Sequence, residues 1–298
     1  MFTACALTLA ASLHAITRAR SDLAFMQQAA VPAGQDNLEP DRPDVTNGTH
    51  IVDVGLLQME VGGIWSRSGA GQHNTGTPTA FRLGLFEWLE ARISGDGFLR
   101  ATDATAGTEQ GVGNVQIGAK LRLWADPGGV PVLSILPAVN LPAASESKGL
   151  GSGQADYTVA VLTGTDFLTR GHIDVNYGIG RIGAGSGLPR YTQHLVSWSA
   201  SAEVPGPVTP YLEGFWFSRQ DPDGGPVIAM DTGAIYVINP RLALDGGVQV
   251  GLTDAAPELS AFAGVSVVLG NVLGDHGVHA RQRETARRAA VHGPKGHQ

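Results

Sequence analysis

From about residue 54 to residue 269 the chain is built of short segments in which apolar and polar positions alternate. In Asn114–Trp124, Val115, Ile117, Ala119, Leu121 and Leu123 share one face, while Asn114, Gln116, Lys120 and Arg122 share the other. Arg241–Leu252 repeats the pattern, with Leu242, Leu244, Val248, Val250 and Leu252 set against Arg241, Asp245 and Gln249. A β-strand points successive side chains to opposite faces, so each such segment carries one apolar and one polar surface. The alternation predicts strands over 54–67, 77–85, 88–100, 113–124, 130–142, 154–165, 171–182, 193–204, 208–219, 226–237, 241–252 and 259–269. Repeated around a closed sheet, it predicts an all-β fold: a single antiparallel up-and-down transmembrane β-barrel of about twelve strands, with lipid outside and a polar lumen.

The connections point the same way. Glycine-rich and polar stretches (Ser68–Gly76, Ala101–Gly111, Ala143–Gly153, Gly183–Tyr191 and Gln220–Gly225) alternate with tight links at Phe86-Glu87, Asp126–Gly129, Pro205–Pro207 and Asn239-Pro240. Outer-membrane barrels alternate long external loops with short periplasmic turns, whereas a soluble sandwich has no reason to sort its loops. Trp65, Phe86, Trp88, Trp124 and Tyr236 lie near strand ends, where aromatic rings sit at the membrane interface, although such rings also pack inside sandwiches.

Composition narrows the picture. The 298 residues carry a net charge of −7 and one cysteine. One barrel accommodates that length, and the acidity argues against a nucleic-acid partner. A lone Cys5 rules out an internal disulfide framework and a cysteine-based zinc site, and no apolar run reaches the length of a helical span. Phe2–Ala11 resembles the apolar core of an export signal but lacks a preceding Lys or Arg, so an ordinary N-terminal helix is the alternative. The expected organisation is a signal peptide over 1–19, a polar, Pro-containing periplasmic lead-in over 20–53, the barrel over 54–269 and a polar basic tail over 270–298, disordered or helical. The localisation expected is the outer membrane of a Gram-negative-type bacterium. Lipid, a small-molecule solute and the barrel-assembly machinery are the expected partners.

Period two assigns the lumen lining to Glu60, Arg82, Glu90, Arg92, Asp96, Lys120, Arg122, Asp156, Asp174, Asp231 and Asp245, with Asn176, Glu203, Arg241 and Gln249 in the same row. Charges facing lipid near the midplane cost up to a few kcal/mol each, which directs them inward. Both signs occur, so cross-strand bracing competes with an ion-selective channel as their role. Val208–Arg219 is aromatic on both faces, as a wall or as a patch for an aromatic solute. No catalytic constellation, metal site or cofactor motif emerges. His194 and Ser197 fall on opposite faces, and His172 shares a face with Asp174.

Several stretches resemble the outer-membrane transporter family named for the meta-cleavage pathway of phenol degradation. Asp41-Arg42-Pro43-Asp44-Val45-Thr46-Asn47-Gly48 resembles the family's segment before its first strand, and Leu57–Gly62 that strand. Phe81–Leu85 with Leu89–Arg92, then Gly111–Lys120, resemble the strands that follow, and Leu252–Pro257 the last hairpin. The resemblance spans about 41 to 269. It implies an outer-membrane barrel that helps hydrophobic or aromatic compounds cross, and it supplies no catalytic residues. The last strand closes on Leu269-Gly270 rather than on an aromatic residue. The expected function is passive transport of small, hydrophobic or aromatic solutes by a non-enzyme. A closed structural barrel and a lipid-modifying barrel enzyme are the alternatives.

Overall fold

In a computed structural model, the described residues are 38, 40–42, 45–103, 107–124, 131–168 and 170–273. The expected signal peptide, most of the lead-in, the Asp126–Gly129 turn and nearly all of the tail lie outside them. The strands are β1 (Leu56–Ser68), β2 (Gln72–Phe86), β3 (Leu89–Asp103), β4 (Gly107–Gly111), β5 (Val115–Trp124), β6 (Val132–Leu141) and β7 (Asp156–Phe167). They continue as β8 (Gly171–Ile182), β9 (Tyr191–Ala202), β10 (Val208–Phe217), β11 (Val227–Asn239), β12 (Leu242–Gly251) and β13 (Leu259–Asn271).

Every strand-to-strand pairing is antiparallel and, apart from β3 with β5, joins neighbours in sequence, and β13 pairs with β1 to close the wall. The short β4 was not expected from the sequence. It pairs with β3 in the same register as β5 does, so the two form one stave interrupted at Val112–Asn114. The wall is therefore a closed antiparallel barrel of twelve staves, and among the described strands only the short β4 keeps one edge without a strand partner. The predicted boundaries hold within a few residues. Apart from the added β4, the largest departure is β2, which starts at Gln72 because a three-residue 3-10 turn, Gly69–Gly71, replaces the longer loop expected there.

The two ends differ. At the turn end lie the tight connections β2–β3 and β11–β12, together with the start of β1 and the end of β13. At the loop end, residues 142–155, 183–190 and 218–226 form longer excursions, and Ser186 joins two of these loops by donating from N and Oγ to Glu146 at 2.6 and 2.5 Å. Large apolar side chains point outward around the wall, among them Ile93, Ile117, Val161, Ile179, Val196 and Val248. Phe86 and Trp88 stack outside the turn end at 5.5 Å, and Trp124 donates to the Pro131 carbonyl there. All five aromatics singled out in the sequence are outward and exposed. The inward face instead buries Gln58, Glu60, Arg82, Glu90, Lys120, Ser134, Asn176, Ser197 and Glu213. The polar stripe of each strand thus forms the interior, inverting the soluble-protein arrangement.

Candidate functional site: a segment seated in the lumen

The polar stretch read as a periplasmic lead-in does not stay outside. Leu38 N donates to the Pro240 carbonyl at the turn end, and the chain then passes inside the barrel. It touches walls on opposite sides before leaving through Val52 and Val54 to β1. Its contacts fall on the buried polar residues of the wall, which explains both the destination and the mistaken expectation. A Pro-containing polar segment has no period of its own, and its backbone groups must be satisfied wherever it is buried.

Asp41 forms the first anchor. Its Oδ2 lies 2.6 Å from Lys120 Nζ, 2.7 Å from Arg92 Nη1 and 3.3 Å from Arg82 Nη2. Arg82 also donates to Glu60 at 2.8 Å and, from two nitrogens, to Glu90 at 2.8 and 2.9 Å. The wall contributes three cations, Arg82, Arg92 and Lys120, against two carboxylates, Glu60 and Glu90. Asp41 supplies the third negative charge and brings the cluster to neutrality. Burial by itself would raise the Asp41 pKa, but Arg82, Lys120 and Arg92 outweigh it and hold the carboxyl well below the usual carboxylate range.

Lys120 directs its remaining hydrogens to the Gly48 and His50 carbonyls, at 2.8 and 3.0 Å, so its ammonium is fully engaged by the inserted segment. Arg42 pairs with Asp245 at 3.2 Å on the opposite wall. Its guanidinium lies over the cross-strand glycine pair Gly62 and Gly264, where a Cβ would come within 2.2 and 2.6 Å of it. Val45 N and Thr46 N donate to the two oxygens of the buried Glu213 carboxylate. Asn47 N donates to Asn176 Oδ1 at 2.7 Å, and Asn176 Nδ2 returns a bond to the Asn47 carbonyl at 3.0 Å. Ser134 Oγ reaches the Thr49 carbonyl, and Val52 N reaches Glu90. Val45 packs against Phe215, Val227, Ala229 and Ala256, so the inward aromatic surface of β10 is covered.

Of the eleven residues assigned to the lumen, Glu60, Arg82, Glu90, Arg92 and Lys120 meet in one cluster, and Asp245 joins the inserted segment through Arg42. Asp156, Asp231 and Asp174 stand on other walls. Asp156 accepts from Asn140 and Gly183, and Asp174 lies 3.2 Å from His172. Arg122 is half-buried beside Ser134, and Asp96 faces a separate cavity. Glu203 departs from its expected row: β9 ends at Ala202, which leaves Glu203 exposed in the turn. Sequence reasoning missed Asp41, Arg42, Gln58, Ser134 and Glu213 as site residues. The family-like motif from Asp41 to Gly48 was the available signal, because it carries charges and an amide where a mere linker needs none.

On the loop side of Arg42 and Glu60 the lumen remains hollow. A cavity of about 460 Å³ is bounded by inward residues of β2, β3, β5 and β6 and by Leu150 from the loop after β6. A bulge shapes it: the β2–β3 register shifts between Gly76 and Pro78, and Phe98 N donates to Thr77 Oγ1 at 2.8 Å. The shift turns both Asp96 and Leu99 toward the lumen.

A search of solved structures finds the same architecture. The COG4313 outer membrane channel from Pseudomonas putida F1 aligns over 80% of this chain and 100% of its own, at 14% identity and a TM-score of 0.58. The NanC porin aligns over 71% of this chain and 98% of its own, at 13% identity and a TM-score of 0.50. These likenesses are of fold. No curated protein matches the sequence. The profile of one family, described as "Putative MetA-pathway of phenol degradation", matches residues 40–269, which takes in both the inserted segment from Pro40 onward and the whole wall. The chain belongs to that family.

Proposed function

We propose that the protein is an outer-membrane channel for small apolar or aromatic solutes, held closed in this conformation by its own segment from Asp41 to Val52. The observation that carries this is charge: among the described residues, the wall cluster reaches neutrality only when Asp41 is docked. A permanently filled structural barrel would have no need to leave its wall with an uncompensated cation. Withdrawal of the segment would open a lumen ringed by Arg82, Arg92 and Lys120 on one side and Glu213 and Asn176 on the other. The outward apolar belt and the sorting of turns and loops support the outer membrane as the location, with the turn end periplasmic. The family's description and the apolar part of the cavity support aromatic or apolar solutes.

The test is single-channel conductance of the refolded protein in planar bilayers, with phenolic solutes added. The native chain should show rare steps, and Asp41→Asn should lengthen and multiply them. Silence from both, with barrel insertion confirmed, would leave the closed structural barrel as the function.

An enzymatic reading has less behind it. Nδ1 of His172 lies 2.7 Å from Asp166 and Nε2 lies 3.2 Å from Asp174, so both ring nitrogens face carboxylates rather than a nucleophile. His194 bonds outward to Tyr177, on the opposite face from the buried Ser197.

A further inference from the structure

The loop-side cavity contains a carboxylate that the inserted segment does not use. Arg42, on its floor, is paired with Asp245, and Glu60 is paired with Arg82. Asp96, on the β3 wall, receives no side-chain hydrogen bond or ion pair from any described residue. Ser94 and Gln116, which face each other across β3 and β5, likewise keep their side chains free among the described residues. Leu99 and Leu150 supply an apolar surface in the same cavity. The position of Asp96 is built into the wall: its own carbonyl accepts from Gly113 N at 2.8 Å in the break between β4 and β5, and a Cβ on Gly113 would come within 2.7 Å of the Asp96 Cβ.

We propose that this cavity binds small organic cations, with an ammonium head on Asp96 and an apolar body against Leu99 and Leu150. An ionised carboxylate accepts hydrogen bonds and donates none, so its complement is a cationic N–H donor. Concave walls of low dielectric concentrate ions of the opposite sign, which favours amines over the corresponding acids. Ser94 and Gln116 offer oxygens to the remaining ammonium hydrogens. The volume is that of a small-molecule site. The inference deepens the channel reading by naming a solute class, and aromatic amines satisfy both.

Calorimetric titration of the purified full-length barrel in detergent tests it, with benzylamine, cyclohexylamine, benzyl alcohol and benzoate as probes. Both amines should bind, and the alcohol and benzoate should bind at least about tenfold more weakly. Asp96→Asn should cost the amines about tenfold or more and leave the alcohol unchanged. Leu150→Trp, placed on a loop outside the wall, should fill the cavity and remove amine binding even if Asp96→Asn fails to fold. Equal binding of benzoate, undiminished amine binding in either folded variant, or no amine binding by the native barrel would overturn the proposal. A barrel that binds amines but never conducts would sink the channel reading and leave the site standing. One that conducts without binding them would do the reverse.

Discussion

Asp41 shows how much one residue decides here. Among the described residues it is the one negative charge that the inserted segment brings to a buried group of three wall cations. Removing one partner from a buried ionic cluster typically costs about 3–5 kcal/mol, because the remaining charges stay desolvated without compensation. Asp41→Asn should therefore weaken docking by that order, read as faster proteolysis of the segment while the barrel stays heat-modifiable on gels. The sign of the pH dependence follows from the lowered carboxyl. Its contribution is complete above the unfolded pKa of about 4 and declines as pH falls toward the docked value. Open probability should be flat between about pH 5 and 8 with respect to this group, and should rise only in stronger acid. An opening transition near neutrality that persists in Asp41→Asn would assign the control to other groups.

At the scale of elements, the inserted segment and the wall are shaped for each other at the backbone as well as through side chains. Gly84 on β2 lies under the segment's exit, with Gly55 N donating to its carbonyl at 2.7 Å. A Cβ there would lie 2.1 Å from the Val52 carbonyl oxygen, a distance no relaxation of side chains can relieve. Gly84→Leu should thus leave the twelve-stave wall intact and expel the segment, giving larger or longer conductance steps than Asp41→Asn. Unchanged conductance from a folded Gly84→Leu barrel would mean that the segment does not limit passage. The strands themselves were legible in sequence because β pairing and face assignment follow from period two. The bulge at Thr77–Phe98 and the break between β4 and β5 were not. Both preserve the polar and glycine-rich composition of a loop while keeping the strands paired.

At the scale of the whole molecule, the outward apolar surface predicts the medium. Val161, outward near the middle of β7, should cost about 2–4 kcal/mol of membrane stability when changed to Arg, whereas Leu188→Arg on a loop should cost little. Equal stability of the two variants, measured by urea unfolding in lipid vesicles, would contradict a bilayer around this belt. The sequence by itself determined the barrel, its approximate strand number and the inward direction of most strand charges, because a strand's alternation is local and survives any loop length, although Glu203 and Glu213 escaped it. It also placed Arg92, Lys120 and Arg122 with Glu60, Glu90 and Asp96 on neighbouring early strands, and of these Arg92, Lys120, Glu60 and Glu90 meet. Only the tertiary structure decided what fills the lumen. The partners of the inserted segment are remote: Asp41 meets Lys120 79 positions on, Asn47 meets Asn176 129 on, Thr46 meets Glu213 167 on, and Arg42 meets Asp245 203 on. A short polar stretch has no periodicity that could announce those contacts. Its place is set by unsatisfied charges and backbone groups that come together only when the twelve staves have closed.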